Sequence, residues 1–378
     1  MVKKIIINAR TLTLSSGGNK NFTSNFIAHL SKSLPNNFFE IIVPKPQSTG
    51  DFDFGNNCQI KLIEKIPTDP SHLSISLWDN SQISEYLKTQ KKEKVAFFLS
   101  THHALPIKKL EIPEFIIIHD IHLWKEQESR WSIDTKFGYE VNEQSVYNAD
   151  LIFTVSDFTK KETEGYFNLK NIPIIPIYED IKGFYKKEHP VDLQLLKEKF
   201  GISKNGYFLY IGSFEPRKNI LNLLKAYDVY WQKSKFKNAL VIVGSYTKRT
   251  KEFEHLDFGS SIKRFTEANT VEIYNLYKQA MGFVYPSLYE GFGLQILEAQ
   301  NIGCPIVGSD IEVFREVAGN GMLFFNPHNI YDIAQKMIEI ENNSRLREDL
   351  IKKGKDNVKR YTWKKTVGIF LDSIKSYL

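Results

Sequence analysis

Short apolar segments alternate with helical patterns along most of the chain, and this alternation restricts the fold more than any other feature. Short, fully apolar strands separated by helices are typical of a parallel β-sheet covered by helices on both faces. The sequence therefore predicts an α/β fold. In the first half the predicted strands are Lys4–Asn8, Phe38–Val43, Gln59–Glu64, Val95–Ser100, Phe115–His119, Leu151–Val155 and Pro173–Ile177, and helices are predicted at about Asn19–Ser33, Ser76–Lys91, Thr135–Asn148 and Phe158–Tyr166.

The alternation is interrupted once and then begins again. The segment Tyr178–Pro190 combines glycine, proline and clustered charges, which predicts an interdomain linker. Two α/β halves joined by a linker imply a cleft where two sets of strand carboxyl ends face each other, and open α/β sheets bind ligands at such ends. The last predicted helix, Trp363–Leu378, has one apolar face. In the second half the predicted strands are Tyr207–Ile211, Leu240–Val243, Ser261–Phe265, Gly282–Tyr285, Pro305–Val307 and Met322–Phe325.

Length and composition narrow the class of protein. A chain of 378 residues is long for one hydrophobic core, so we expect two domains. The net charge of +6 favours anionic partners without specifying nucleic acid, phosphate or lipid headgroups. The two cysteines, Cys58 and Cys304, are too few for a disulfide framework, which fits a reducing cytoplasm. No segment approaches the ~18 apolar residues of a membrane span, and the apolar start Ile5–Ile7 is too short for a signal peptide.

The segment Tyr285–Ala299 carries the strongest chemical signal. Glu290 and Glu298 stand eight positions apart, and the turn Gly291–Gly293 between them leads from a strand into a helix. A glycine turn at a helix N-terminus can bind an anion through backbone N–H groups alone. A carboxylate inside that helix can then reach the hydroxyls of a sugar or ribose whose phosphates lie at the helix start. The alternative is that both glutamates are ordinary helix residues, one favoured by the helix dipole.

A second segment, Tyr210–Asn219, also follows a strand and opens a helix. Gly212 permits close approach of a ligand to the backbone, and Arg217 and Lys218 lie where an anion would bind. Fixed cations at that position stabilise a leaving group more strongly as its negative charge grows. The alternative is a helix start with two solvated cations.

Two candidates fall in the first half. The loop Ser15–Lys20 places Gly17 and Gly18 between the first strand and a helix, where backbone N–H groups can hold phosphate. The loop lacks the G-x-G-x-x-G spacing of a dinucleotide fingerprint. His119 and Asp120 end a buried strand, so the histidine is placed to contact a substrate. His102 and His103 end the preceding strand in a similar way.

The evidence for a metal site in the sequence is weak. Asp51 and Asp53 form a loose Asp-x-Asp pattern, but they lie in an apparent loop where aspartate is common. His119 and His122 have a three-residue spacing without an evident third ligand. The sequence therefore predicts no metal site.

These residues together resemble a known family. The run Tyr285–Glu298 is similar to the P-S-x-x-E-G-F-G-L-P-x-x-E-A signature of retaining GT-B glycosyltransferases of family 4, also called group 1, whose E-x7-E motif is matched by Glu290 and Glu298. The resemblance covers most of the chain in the expected order. Three further segments carry it: Tyr207–Tyr227 resembles the strand–glycine–R-K-N segment, Ala149–Lys160 the A-D-x-I-x-x-V-S stretch, and Ile118–Asp120 the His-Asp element.

The resemblance implies a role for each matching residue. Glu298 would bind the ribose of a nucleotide-sugar donor, and Arg217 and Lys218 would neutralise its diphosphate. Glu290 would hold the transferred sugar and the diphosphate, and His119 would contact the donor sugar near the reacting carbon. The implied catalytic residues are thus His119, Arg217, Lys218 and Glu290, and the implied donor-binding residues are Gly17, Gly18, Gly212, Ser213, Gly291, Phe292, Gly293, Leu294 and Glu298.

The resemblance also implies an architecture and a reaction. Residues 1–182, with the helix 363–378 crossing back, would form an acceptor-binding Rossmann-like domain, and residues 183–362 a donor-binding one. The enzyme would move a mannose- or glucose-type hexose, with retained configuration and without a metal or other cofactor, from a GDP- or UDP-sugar. The acceptor would be a saccharide or lipid-linked saccharide in surface polysaccharide or lipopolysaccharide synthesis. We expect a cytoplasmic protein with no nucleic-acid partner and with peripheral contact to an anionic membrane, to which scattered lysines of the first domain (Lys32, Lys45, Lys61, Lys65, Lys108 and Lys109) would contribute.

Some positions depart from the family pattern. Gln295 replaces the usual proline, and Lys263–Phe265 lacks the usual glycine near the base, which leaves the choice between GDP and UDP open. Two other functions remain compatible with the sequence. One is a nucleotide-sugar epimerase of GT-B fold, which would form product from the donor alone. The other is a non-catalytic GT-B subunit that binds a saccharide or a partner transferase.

Overall fold

The computed structural model describes most of the chain, and the chain divides into two units. The described residues are 3–14, 17–45, 54–64, 76–125, 133–202, 206–244 and 261–378. Unit 1 contains Met1–Asp180 together with Tyr361–Leu378, and unit 2 contains Ile181–Arg360. The last helix, which the sequence predicts to cross back, therefore belongs to unit 1.

Unit 1 is built on a seven-stranded sheet in the order β3-β2-β1-β4-β5-β6-β7. All its strand pairings are parallel. The three central strands β1, β4 and β5 are almost fully buried, whereas the edge strand β3 is largely exposed. The strands are β1 Lys4–Asn8, β2 Phe39–Lys45, β3 Cys58–Glu64, β4 Val95–Ser100, β5 Glu114–Ile118, β6 Leu151–Thr154 and β7 Ile174–Pro176.

Helices connect these strands, and one of them contains a π-helical stretch. The sequence predicts a helix at about Ser76–Lys91, and the structure has a π-helical stretch, Trp78–Gln82, followed directly by the α-helix Ile83–Lys88. A π-helical turn rotates the side chains that follow, and such turns occur often at functional sites. The other α-helices of unit 1 are Gly18–Ser33, His122–Lys125, Ile133–Val146, Asp157–Phe167 and Trp363–Ile374, and 3₁₀ turns lie at Arg10–Thr13, Lys92–Lys94 and Lys375–Tyr377.

Unit 2 repeats the arrangement with six strands in the order β10-β9-β8-β11-β12-β13. Its pairings are also parallel. The strands are β8 Tyr207–Ile211, β9 Ala239–Val243, β10 Ile262–Phe265, β11 Gly282–Tyr285, β12 Ile306–Ser309 and β13 Leu323–Phe325. The helices are Leu193–Phe200, Ile220–Lys233, Thr270–Gln279, Leu294–Ile302, Glu312–Ala318, Ile330–Asn342 and Ser344–Val358, with a 3₁₀ turn at Pro216–Lys218. The predicted α/β fold with two parallel sheets is thus confirmed.

The strand order gives each sheet one point where the chain reverses its direction of winding. In unit 1 this point lies between β1 and β4, and in unit 2 it lies between β8 and β11. At such a point the loops after the two neighbouring strands leave toward opposite faces of the sheet. The crevice that they leave open outside the strand carboxyl ends is where α/β proteins bind ligands. The topology alone therefore indicates two places for functional side chains, the strand ends at β1 and β4 and those at β8 and β11.

The segment Tyr178–Pro190 is more ordered than a solvated linker. Glu179 and Asp180 are buried in unit 1, and Ile181 and Tyr185 are buried in unit 2. One carboxylate oxygen of Asp180 accepts a hydrogen bond from the backbone N–H of Trp363, at 2.9 Å, where the last helix begins. Asp180 therefore helps to fix the start of that helix.

Within the described segments, no helix combines the length and the apolar character that crossing a bilayer requires.

Candidate functional site

The loops after β8 and β11 bring the predicted anion-binding residues of unit 2 together. The turn Pro216–Lys218 follows β8, and the backbone N–H of Leu288, after β11, donates to the carbonyl oxygen of Arg217 at 2.7 Å. The Asn219 amide donates to the carbonyl oxygens of Pro286 and Pro327, at 3.1 and 2.8 Å. Arg217, Lys218 and Glu290 are thereby held at the point between β8 and β11 where the topology predicts a ligand site.

Glu290 is the centre of this cluster. Its Oε2 accepts from Nη1 of Arg217 at 2.9 Å. Its Oε1 accepts from Nζ of Lys218 at 2.6 Å, from the Ser287 hydroxyl at 2.7 Å and from the Tyr285 hydroxyl at 3.0 Å. The carboxylate is buried and receives four donors, so its position is strongly determined.

The charges of the cluster explain the acidity of Glu290. Burial alone would raise its pKa, but the charges of Lys218 and Arg217 and the hydrogen bonds from Lys218 and Ser287 outweigh burial and hold the pKa at about 2. The carboxylate is therefore ionised at neutral pH. Arg217 and Lys218 are both paired with it rather than open to solvent, which the sequence does not indicate. An incoming diphosphate would share these cations with Glu290.

The turn after Glu290 starts a helix in the manner the sequence predicts. Gly293 has a φ of 89° and precedes the helix Leu294–Ile302, which has no side-chain cap at its N-terminus. A side chain at Gly293 would be strained, and its Cβ would lie 3.0 Å from the Phe314 ring. Phe292 is buried. The amide of Gln295, the residue in place of proline, donates to the carbonyl oxygen of Ile211 and ties this helix to the end of β8.

The backbone after β8 is closely packed around Gly212. Its N–H donates to the carbonyl oxygen of Val243 at 3.0 Å. The neighbouring carbonyl oxygen of Ser213 accepts from the buried Tyr210 hydroxyl at 2.9 Å. A Cβ added to Gly244 would lie only 1.8 Å from the carbonyl oxygen of Gly212. Gly244, which sequence reasoning did not single out, is thus required for the two strand ends to pass each other.

Glu298 has an environment opposite to that of Glu290. It is buried, yet within the described segments its carboxylate accepts no hydrogen bond from the protein. Burial raises its pKa to about 7, and the charge of Lys182 opposes the rise only in part. The buried Tyr277 hydroxyl, whose ionisation is disfavoured by burial and by the Glu298 charge, also has no partner in the described part of the chain. A buried carboxylate without donors is a strong candidate for contact with ligand hydroxyls.

In unit 1, His119 follows β5 but its ring is held by the protein. Its Nε2 lies 2.9 Å from the carbonyl oxygen of Thr101, so this nitrogen carries the proton. Its Nδ1 lies 3.5 Å from a carboxylate oxygen of Glu179, and its ring packs edge-on against Phe22. The structure therefore places His119 at a strand carboxyl end, with both ring nitrogens facing protein groups. Asp120 accepts from the backbone N–H of His122 and starts a short helix.

Gly17 and Gly18 start the helix Gly18–Ser33. Gly17 has a φ of 120°, and a Cβ added to either glycine would meet no atom within 4 Å. The open space beside both glycines leaves room for a ligand. Ser15 and Ser16 of the same loop lie outside the described residues.

Unit 1 contains a buried polar cluster that sequence reasoning missed. Asp79, from the π-helical stretch, accepts from the Asn8 amide at 3.0 Å and lies 3.1 Å from Nε of Arg10 and 3.2 Å from Nε2 of His102. These residues come from the ends of β1 and β4, where the sheet reverses direction. Burial would raise the pKa of Asp79, but the charge of Arg10 and hydrogen bonds from His102 and Asn8 lower it. No single segment carries this pattern, so it could not be found from spacing.

The described residues contain no group of three His, Cys, Asp or Glu side chains that could hold a metal ion. Asp51 and Asp53, the weak metal candidates of the sequence, lie outside the described ranges.

Known sequences similar to this chain include a family model that matches most of unit 2 and relatives that align with the larger part of the chain. Residues 193–357 match the family model described as glycosyl transferases group 1. The chain is 29% identical over 254 residues to the O-antigen chain mannosyltransferase B of Escherichia coli, covering 65% of each chain. It is 29% identical over 282 residues to the O-antigen chain mannosyltransferase RfbU of Salmonella typhimurium, covering 73% of each. The chain thus spans slightly less than two thirds of the length of the first of these relatives.

Solved structures match the fold over nearly the whole chain. The sucrose-phosphate synthase of Thermosynechococcus elongatus superposes with a TM-score of 0.76 at 15% identity, covering 99% of this chain and 98% of that one. WaaG, a glycosyltransferase involved in lipopolysaccharide biosynthesis, superposes with a TM-score of 0.74 at 14% identity, covering 98% and 99%. Such identities establish the fold alone. The chain therefore has the GT-B fold, and its residues 193–357 match the family described as glycosyl transferases group 1.

Proposed function

We propose that the protein is a retaining glycosyltransferase that moves a hexose from a nucleotide diphosphate sugar to a saccharide or lipid-linked saccharide during O-antigen or other lipopolysaccharide synthesis. Two features of unit 2 carry the proposal: the cluster of Arg217, Lys218 and Glu290, and the buried carboxyl group of Glu298, which accepts no hydrogen bond within the described segments. These groups suit two parts of a donor, because cations suit the diphosphate and a buried hydrogen-bond acceptor suits the ribose hydroxyls. The relatives named as O-antigen mannosyltransferases favour mannose as the hexose.

The proposed reaction needs no nucleophile from the protein. The acceptor hydroxyl oxygen forms a bond to the anomeric carbon on the face from which the leaving group departs, so the configuration is retained. The bond between that carbon and the diphosphate oxygen breaks, its electron pair goes to the diphosphate, and the acceptor proton follows to the departing oxygen. Arg217 and Lys218 stabilise this growing charge in a position already fixed by Glu290. Fixed cations lower the barrier because they need no reorganisation during the reaction.

The acceptor would be recognised in unit 1, where Arg10 is fixed by buried groups. Its Nε lies 3.1 Å from both Asp79 and His102, while its side chain stays partly exposed. Burial and the Arg10 charge lower the pKa of His102, so at neutral pH the ring is uncharged and Arg10 is the cation of the cluster. A positioned guanidinium can bind acceptor hydroxyls or an acceptor phosphate with paired donors.

Replacing Asp79 with asparagine is expected to raise the acceptor KM about tenfold and to leave donor binding unchanged. The substitution leaves Arg10 without its carboxylate partner, so we also expect unit 1 to lose roughly 2–4 kcal/mol of stability. Acceptor titrations at saturating donor, together with thermal unfolding, measure both effects. An equal loss of donor affinity would contradict a role restricted to the acceptor. The exposed pair Lys88 and Glu85 offers a control, because Glu85→Gln should change neither quantity.

A donor panel tests the proposal directly. The purified protein is mixed with GDP- and UDP-hexoses, with EDTA or with magnesium, and thermal stabilisation and donor hydrolysis are recorded. We expect selective stabilisation by one donor, GDP-mannose in the first instance, that EDTA does not reduce. A strict magnesium requirement would contradict metal independence and would make Asp51 and Asp53 candidate ligands. An epimerised product from donor alone would indicate an epimerase, and tight donor binding without turnover for any acceptor would indicate a non-catalytic subunit.

A further inference from the structure

The turn Ser234–Asn238 of unit 2 presents an aromatic ring to solvent between lysines. Phe236 is 66% exposed, the most exposed of the large hydrophobic side chains in the described segments. Lys235 and Lys237 flank it, and both are exposed. Tyr331, from the start of the neighbouring helix Ile330–Asn342, is 63% exposed. Exposed aromatic rings are unfavourable in water, and a group of them on one surface often marks an interaction site.

Buried polar groups hold this turn in a single conformation. The Ser234 hydroxyl accepts from the backbone N–H groups of Phe236 and Lys237, at 3.1 and 3.0 Å, and donates to the buried carboxylate of Glu341 at 2.7 Å. The Asn238 amide donates to the same carboxylate at 2.7 Å. Lys237 has a φ of 51°, which costs energy in a residue with a side chain. The exposed ring is therefore presented by a constrained turn rather than by a loose loop.

The lysines of the turn are not neutralised by acids. Within the described residues Lys233, Lys235 and Lys237 form no ion pair, and two of them rest on aromatic rings. Nζ of Lys233 lies 5.9 Å from the Tyr331 ring centre, and Nζ of Lys237 lies 5.4 Å from that of Trp231. The sequence from residue 229 to residue 251 contains no aspartate or glutamate. The turn and the lysines around it are therefore both aromatic and basic.

Two of the six lysines predicted to contribute a basic surface on the first domain are paired with acids. Lys45 lies 3.5 Å from Glu64, and Lys109 lies 2.7 Å from Asp150. Lys65 is outside the described residues. These two paired lysines offer little attraction to an anionic surface, and the contribution of the other lysines of the first domain stays a prediction.

We propose that the basic aromatic patch (Trp231, Lys233, Lys235, Phe236, Lys237 and Tyr331) docks the protein on an anionic lipid bilayer. Aromatic rings settle at the level of the headgroups, and lysines near the surface are attracted to anionic lipids. The turn immediately precedes β9, so it lies at the edge of the sheet opposite the strand carboxyl ends that bear Arg217 and Glu290. Docking through this edge leaves the proposed donor site uncovered. The proposal does not depend on the reaction.

Vesicle sedimentation of the full chain tests the patch. Vesicles of phosphatidylcholine with and without phosphatidylglycerol are compared at low and high salt. We expect binding only to the anionic vesicles, weakened by salt. Lys235→Glu with Lys237→Glu should weaken it about a hundredfold, and Phe236→Ser about tenfold. Two controls should bind as the wild type does: Lys197→Glu with Lys352→Glu changes the net charge equally, and Val271→Ser removes another exposed apolar side chain.

A second readout reports on insertion of the ring. The fluorescence of a Phe236→Trp variant, after subtraction of the wild-type signal, should shift to the blue on anionic vesicles and be quenched by brominated lipids. Absence of vesicle binding, equal binding to neutral vesicles or equal losses in the control variants would overturn the proposal. The vesicle assay involves no donor or acceptor, so its failure would leave the proposed transfer reaction untouched, and failure of transfer would leave the docking result untouched.

Discussion

Replacing Lys218 with alanine is expected to lower kcat/KM at least about a hundredfold, with most of the loss in kcat. The ammonium group lies 2.6 Å from Oε1 of Glu290 and is fixed before the donor arrives. A preorganised cation acts mainly on the charge that develops as the diphosphate leaves, so its removal affects the transition state more than the ground state. Steady-state kinetics with the preferred donor would measure this loss.

The variant Lys218→Arg distinguishes charge from geometry. Arginine keeps the charge but not the single short contact, so we expect it to recover only part of the activity. Lys225→Ala, an exposed lysine on the following helix, is the matched control and should be unchanged. If Lys218→Ala kept wild-type turnover, the assignment of the leaving-group site would be wrong. A thermal unfolding curve for each variant separates lost activity from lost structure, because the substitution also leaves Glu290 with one cation fewer.

The affinity for the donor nucleotide is expected to fall about tenfold between pH 8 and pH 6 in the wild type. Burial raises the pKa of Glu298 from its ordinary value of 4.5 to about 7, so this carboxyl is mostly ionised at pH 8 and mostly protonated at pH 6. If the ribose hydroxyls donate to the ionised form, protonation removes the acceptor and weakens binding. Isothermal titration of the nucleoside diphosphate across this pH range would measure the change.

Glu298→Gln should bind the nucleotide at least about tenfold more weakly at pH 8 and should lose the pH dependence. The effect on folding has the opposite sign. A raised pKa means that the folded state favours the protonated carboxyl, so its contribution to stability is present below pH 4.5 and is lost as the pH rises through about 7. The glutamine variant without ligand should therefore be at least as stable as the wild type at pH 8. A wild-type pH profile in Glu298→Gln would assign the titration to another group, and Glu348→Gln, on an exposed helix, is the control.

The hydrophobic pattern predicted the fold well for a physical reason. Each of the thirteen strands found in the described ranges overlaps a predicted strand, because a buried parallel strand needs a short apolar run and the intervening helices need a period of 3.6. The helix predicted at about Ser76–Lys91 is present, but it contains a π-helical stretch, Trp78–Gln82, that the sequence did not indicate. The apolar pattern of a helix is nearly the same with or without one extra residue in a turn.

The sequence predicted only those features of the candidate site that lie within a single segment of the chain. Arg217 and Lys218 were identified because they follow a strand and a glycine, and Glu290 because it precedes a glycine turn. Their pairing joins residues 72 or 73 positions apart. It depends on β8 and β11 being neighbours in the sheet, and strand order is not encoded in any local pattern.

The sequence by itself determined the succession of strands and helices, the two α/β halves and the loops that carry charged residues at strand ends. Those features follow from local periodicity and from the few residues that permit a sharp turn. Only the tertiary structure decided that Glu290 pairs with both Arg217 and Lys218, that Glu298 is buried without donors in the described residues and that Asp79 joins Arg10 to His102. Ionisation and pairing depend on burial and on distances between segments remote in sequence, and these are set when the sheets assemble.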